Sequence, residues 1–128
     1  MTELSISLDA RPGAAVVVAR GKILYDTLQP LDDAITKILA GPKPQIVLDL
    51  HEVALCDSSG LQLFVDTHHH AEAAGGWFRL CRPQPIVRRV LEVTNLTSLL
   101  SLYESIDAAV SVPDPSGSGP ASGDSPPG

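Results

Sequence analysis

Five consecutive positions, Ile46-Val47-Leu48-Asp49-Leu50, carry four branched apolar side chains and a single carboxylate. A strand with one wet face alternates apolar and polar residues. A strand that is apolar at nearly every position is covered on both faces or lies centrally in its sheet. This run therefore demands flanking strands and packing helices from the remainder, and 128 residues are enough for one domain with a real core.

The flanking segments have the required periodicities. Leu4, Ile6 and Leu8 alternate with polar residues and predict a half-exposed first strand. Arg11-Pro12-Gly13 is a turn, and Ala14 to Ala19 is a more buried strand ending near Gly21, with extended chain on to Leu24. Leu28, Leu31, Ile35, Ile38 and Leu39 recur at three- and four-residue steps, predicting a helix over 28–40 with Gly41 as C-cap and Pro42 beyond. A second helix, 61–74, presents Leu61, Phe64, Val65, His68, Ala71 and Ala74 on one face and stops at Gly75-Gly76. Phe78 and Leu80 alternate with Trp77 and Arg79 in a further strand. Ile86, Val90, Leu91 and Val93 mark a third helix, which Asn95 closes in a left-handed turn. Leu99 to Tyr103 forms a last strand, and Ser105 caps a short helix to Val110. The order ββαβαβαβα predicts an α/β fold with a mostly parallel or mixed sheet and right-handed crossovers.

Between the apolar run and the second helix lies Asp57-Ser58-Ser59-Gly60-Leu61, after a short link ending at Cys56. A strand enters a turn and the turn opens a helix. Asp57 or Ser58 is suited to cap it by accepting backbone N–H bonds. Two adjacent hydroxyls then sit at the positive end of a helix dipole, where added negative charge is tolerated.

Composition excludes several classes. The net charge is −6, of which residues 1–112 carry 9 − 13 = −4, so the domain is a poor nucleic-acid binder. The basic group Arg79, Arg82, Arg88 and Arg89 reads as a solvated helix face. Nothing resembles a signal peptide or a membrane span, which predicts a soluble protein of the cytoplasm. Cys56 and Cys81 have no metal or redox spacing and read as small core hydrophobes. An enzyme is disfavoured. The motif is not a Gly-x-Ser-x-Gly elbow, His51-Glu52 fails as a zinc-protease start because position 55 is Leu, and His68, His69 and His70 point about 100° apart on a helix. No cofactor and no metal are expected. From Pro113 the composition shifts: 13 of 16 residues are Pro, Gly or Ser, which predicts a domain over 1–112 and a disordered tail over 113–128.

The ordered series Ile46–Leu50, Asp57–Leu61, Ala73-Ala74-Gly75-Gly76 and Val87-Arg88-Arg89-Val90-Leu91-Glu92-Val93-Thr94 resembles the STAS domains of sulfate transporters and anti-sigma factor antagonists. The likeness covers residues 4–110. It implies a mixed sheet of four to five strands with helices packed on one face. For a short stand-alone domain it implies an anti-sigma factor antagonist. Such a protein binds an anti-sigma factor with serine kinase activity, releases the sigma factor, is switched off by phosphorylation and is reset by a serine phosphatase. The serine after the motif aspartate, here Ser58, is the implied phosphorylation site. Asp57, Ser58, Ser59, Gly60, Leu61 and Asp26 are the implied partner-binding residues. Gly21-Lys22-Ile23-Leu24 departs from the family's Gly-Glu-Ile/Leu-Asp, with Leu24 in place of the aspartate. Asp26 faces the same side only if the backbone stays extended. The departure keeps an alternative open: a STAS interaction subunit of a larger assembly that is never phosphorylated.

Overall fold

The computed structural model describes residues 4–111; the tail expected at 113–128 lies outside the described residues. The elements are β1 (Ser5–Arg11), β2 (Ala14–Ile23), α1 (Gln29–Leu39), β3 (Gln45–Cys56), α2 (Ser58–Ala73), β4 (Trp77–Cys81), α3 (Pro85–Val93), a 3-10 turn (Leu96–Ser98), β5 (Ser101–Tyr103) and α4 (Ile106–Ser111). They form one five-stranded sheet in chain order, β1-β2-β3-β4-β5, with β1 antiparallel to β2 and every other pair parallel. β3 is the central strand and Ile46–Leu50 are all buried, as the apolar run requires.

Strands laid down in sequential order by crossovers of one hand put their helices on one face. Leu31 and Ile35 of α1, Leu61, Phe64 and Ala71 of α2, and Val87 and Leu91 of α3 share a core with Ile46, Leu48, Leu50, Phe78 and Leu80. The family's one-sided helical layer is thus present. α4 adds a cover on the opposite face, where Ala109 joins Val16, Val47, Trp77 and Cys81. This second layer is why β3 is apolar on both sides.

The structure corrects five local expectations. β3 continues through the predicted link to Cys56, because β2 keeps pairing with it (Arg20↔Glu52, Ile23↔Cys56) across two register shifts. Gly41 is not the C-cap of α1; Ala40 is, in the right-handed region (φ −72°), and the Gly41 N–H donates to the Ile38 carbonyl at 3.1 Å. The buried face of α2 centres on Gly60, Leu61, Phe64, Thr67 and Ala71, and Ala74 is exposed. On α3 the buried residues are Val87 and Leu91, leaving Ile86 and Val93 exposed. Arg79 is no part of a solvated helix face. It is buried on β4, its guanidinium 3.8 Å from the Trp77 ring centroid, and it donates to the Ala109 carbonyl at 2.8 Å. Arg82 pairs with Asp49 and Arg88 with Glu104, while Arg89 is exposed on α3. The Asn95 turn (φ 62°) and the Ser105 cap, which accepts from the Ala108 N–H at 3.0 Å, are as predicted.

Candidate functional site

The ends of β2 and β3 meet at the start of α2. Ile23 is the last residue of β2, and its carbonyl accepts the Asp57 N–H at 3.1 Å. Asp57 is the N-cap: one carboxylate oxygen accepts the N–H groups of Ser59 at 2.9 Å and Gly60 at 3.2 Å. The other oxygen accepts the Tyr25 N–H at 3.0 Å. A single carboxylate therefore closes the helix and ties down the turn that follows β2. This settles the choice between Asp57 and Ser58 as cap, because Asp57 has the extended backbone (φ −98°, ψ −174°) that lets its side chain fold back.

The turn is itself well held. Thr27 and Leu28 both donate N–H bonds to the Leu24 carbonyl, and the Thr27 hydroxyl donates to the Lys22 carbonyl at 2.6 Å and accepts from the Leu24 N–H at 3.0 Å. The backbone does not stay extended past Ile23, so the condition under which Asp26 would replace the missing aspartate at 24 fails. Asp26 is exposed within the turn, and Leu24 is half-buried.

Of the motif residues, Ser58 is exposed, Asp57 and Ser59 are half-buried, and Gly60 and Leu61 face the core. Gly60 is required sterically. A Cβ there would lie 2.6 Å from Cys56 Sγ and 2.7 Å from Ile23 Cγ2, so α2 presses its first turn directly on both strand ends. We expect Gly60→Ala to cost about 1–3 kcal/mol, as overpacking does, and to displace the Asp57 bonds with it. Amide exchange at Tyr25 and Ser59 checks this; unchanged protection alongside an unchanged melting temperature would show that the first turn is not seated as described.

The chemistry on offer is that of a surface hydroxyl at a helix start, and among the described residues no cluster of His, Cys, Asp or Glu could hold a metal ion. Both cysteines are buried and free, and burial pushes each thiol up to about 12, so neither is a nucleophile at neutral pH. No helix among the described residues is long and apolar enough to cross a membrane.

The sequence reading missed two features. Asp49, the lone charge in the apolar run, is paired with Arg82 through two bonds of 3.0 and 2.6 Å. An isolated carboxylate in a buried strand was the available signal. Tyr25, the most exposed of the large hydrophobic residues at 81 %, carried no signal, because an aromatic beside a turn reads equally well as core.

The family model for the STAS domain matches residues 5–109. A Thermotoga neapolitana protein provisionally named an anti-sigma factor antagonist is 35% identical over 66 residues, covering 52% of this chain. The match spans only 58% of that relative's own length. The anti-sigma F factor antagonist of Paenibacillus polymyxa is 26% identical over 106 residues, 80% of this chain and 88% of its own. The crystal structure of an anti-sigma factor antagonist from Mycobacterium paratuberculosis superposes with a TM-score of 0.76 at 28% identity, covering 84% of this chain and 92% of its own.

Proposed function

The chain belongs to the STAS domain family, and from that premise we propose that it is an anti-sigma factor antagonist, bound at the start of α2 by an anti-sigma factor with serine kinase activity and switched off by phosphorylation of Ser58. In this reading Asp57, Ser58 and Ser59 with Asp26 form the contact surface, while Gly60 and Leu61 seat it. A serine phosphatase restores binding. The chain works in the cytoplasm and performs no catalysis, the kinase supplying the chemistry and its ATP.

One observation carries the reading: the helix is capped by Asp57, so the exposed Ser58 hydroxyl is not needed to hold α2. Modification there leaves the cap in place. Phosphate adds about −1.5 to −2 charge and three acceptor oxygens. At a helix N-terminus the fold tolerates that charge. In an interface, beside Asp57, the same charge must be desolvated and repels acidic neighbours. A switch then needs no large conformational change.

The test uses the kinase-type anti-sigma factors of the source genome, each purified and titrated calorimetrically against the chain. Ser58→Ala should bind as the wild type does, accept no phosphate from ATP, and lose little stability. Ser58→Asp should stay folded and bind at least tenfold more weakly, which is about 1.4 kcal/mol. Equal affinities for the folded Ala and Asp variants, or phosphate recovered on Ser59, would remove Ser58 as the switch. Leu24 in place of the family's aspartate favours a second reading, a STAS interaction subunit that is never phosphorylated. Mass spectrometry of protein from its native cell separates the two: a monophosphorylated fraction at Ser58 supports the switch, and its absence in every growth state supports the subunit.

A further inference from the structure

Tyr25 is 81 % exposed, yet its backbone is held by a hydrogen bond to the helix cap. Its N–H donates to Asp57 Oδ2 at 3.0 Å, and Ser58 follows Asp57 directly. The residues on either side are pinned by the Leu24 carbonyl, which accepts from Thr27 and Leu28, and by the Thr27 hydroxyl. The ring thus projects from a turn that cannot swing away from the modifiable serine. An exposed aromatic on a preorganised turn contributes nothing to the core, and it has the features of an interface anchor: large apolar area, few rotamers and a polar tip. Ile86 and Val93 are also exposed, but they lie on α3 rather than on the turn bonded to Asp57.

We infer that Tyr25 is the specificity-determining anchor of the interface around Ser58, and that the partner receives its ring in an apolar pocket rather than reading this turn by charge. The inference rests on the proposed function, since it names the chemistry with which that same partner recognises the chain. The charges nearest in sequence oppose each other, Lys22 before the turn and Asp26 within it, so the ring is the dominant feature that the turn presents. It also gives the switch a lever. The Asp57 carboxylate ties Tyr25 to the first turn of the helix on which Ser58 sits, so a phosphate that pushes the partner away from Ser58 also withdraws the ring from its pocket.

The experiment takes the full chain and the kinase-type anti-sigma factor that phosphorylates Ser58. It measures affinity by calorimetry and the melting temperature of each variant alone. Tyr25→Ala should weaken binding about 10- to 30-fold with an unchanged melting temperature. Tyr25→Phe should bind within about threefold of wild type, because a pocket recognises the ring. Tyr25→Asp should bind at least as weakly as the alanine variant. An alanine variant within threefold of wild type, while Ser58 is still phosphorylated, overturns the anchor and leaves the proposed function standing. A phenylalanine variant as weak as alanine overturns the apolar pocket. If no kinase-type anti-sigma factor of the source genome binds the wild-type chain, the proposed function falls and the anchor with it.

Discussion

Arg82→Ala should lower the stability of the folded chain by about 3 kcal/mol at neutral pH, at the lower end of the cost of breaking a buried ion pair. Asp49 is only 2 % exposed in its side chain, whereas Arg82 is 37 % exposed, and this sets the choice of the lower figure. Truncating Arg82 strands a carboxylate that the strand cannot return to water. A loss of that size moves the melting temperature down by more than about 10 °C. The pH dependence is the diagnostic part. Burial would raise the Asp49 carboxyl, but the Arg82 guanidinium and the His51 N–H hold it below the usual carboxylate range. Because folding lowers this pKa, the stability it contributes is complete above the unfolded value of about 3.9 and is lost as pH falls through the folded value. In Arg82→Ala, burial is opposed by the His51 N–H and the weak Cys81 thiol donor without the guanidinium, so the carboxyl takes up a proton more readily and the stranded charge disappears on acidification. The deficit against wild type should therefore be largest at neutral pH and shrink below it. Asp49→Asn should cost less than Arg82→Ala, since the exposed arginine is then solvated and no charge is buried. A deficit independent of pH, or Asn as damaging as the arginine truncation, would show that the pair is not the source of the effect.

Gly76→Ala should destabilise the fold by about 3 kcal/mol or more, at or above the upper end of the usual overpacking range. A Cβ at Gly76 would overlap the Pro44 carbonyl and approach the Pro44 nitrogen to 2.9 Å. Pro44 is backbone on its way into β3, and its carbonyl accepts the Trp77 N–H at 2.9 Å, directly beside the first β3–β4 pair, Gln45↔Trp77. No rotamer change relieves a clash with main chain, so the two strand entries must separate. Gly75→Ala is the internal control. That position has open space but a φ of +84°, so its cost is confined to left-handed strain of about 1–2 kcal/mol. Chemical denaturation of both variants, with amide exchange at Trp77, checks the ordering. A Gly76→Ala chain more stable than Gly75→Ala, with Trp77 still protected, would contradict the close approach of these two segments.

Both substitutions act away from Ser58, yet both bear on it. Asp49 lies on the strand that ends at Cys56, against which Gly60 is packed, and Gly76 lies just past the helix that Asp57 begins, its N–H donating to the Ala71 carbonyl at 2.8 Å. The site is the free end of a rigid assembly of strand, cap and helix. Ser58 and Tyr25 can be changed without touching that assembly, which is what separates the binding predictions from the stability predictions.

Where a local rule decides a local structure, the amino-acid sequence alone determined most of it, the end of α1 at Ala40 rather than Gly41 being an exception. Apolar periodicity gave the order of the strands and α-helices, Asp57 lay at a helix start as a capping residue should, Asn95 took up the left-handed turn, and Ser105 capped α4. The central position of β3 and the mixed sheet followed from the continuous apolar run and the alternation of elements. Only the tertiary structure decided what depends on residues far apart in the chain. Arg82 neutralises a carboxylate 33 positions earlier, the buried Arg79 bonds the Ala109 carbonyl 30 positions on, and α4 turns to the opposite face of the sheet. Tyr25 and Asp57, 32 positions apart, meet because β2 and β3 end side by side at Ile23 and Cys56. The physical reason is common to all four. Propensity and periodicity act over a turn or two of chain, whereas burial of a charge and closure of a turn onto a helix exist only once the sheet has aligned its strand ends.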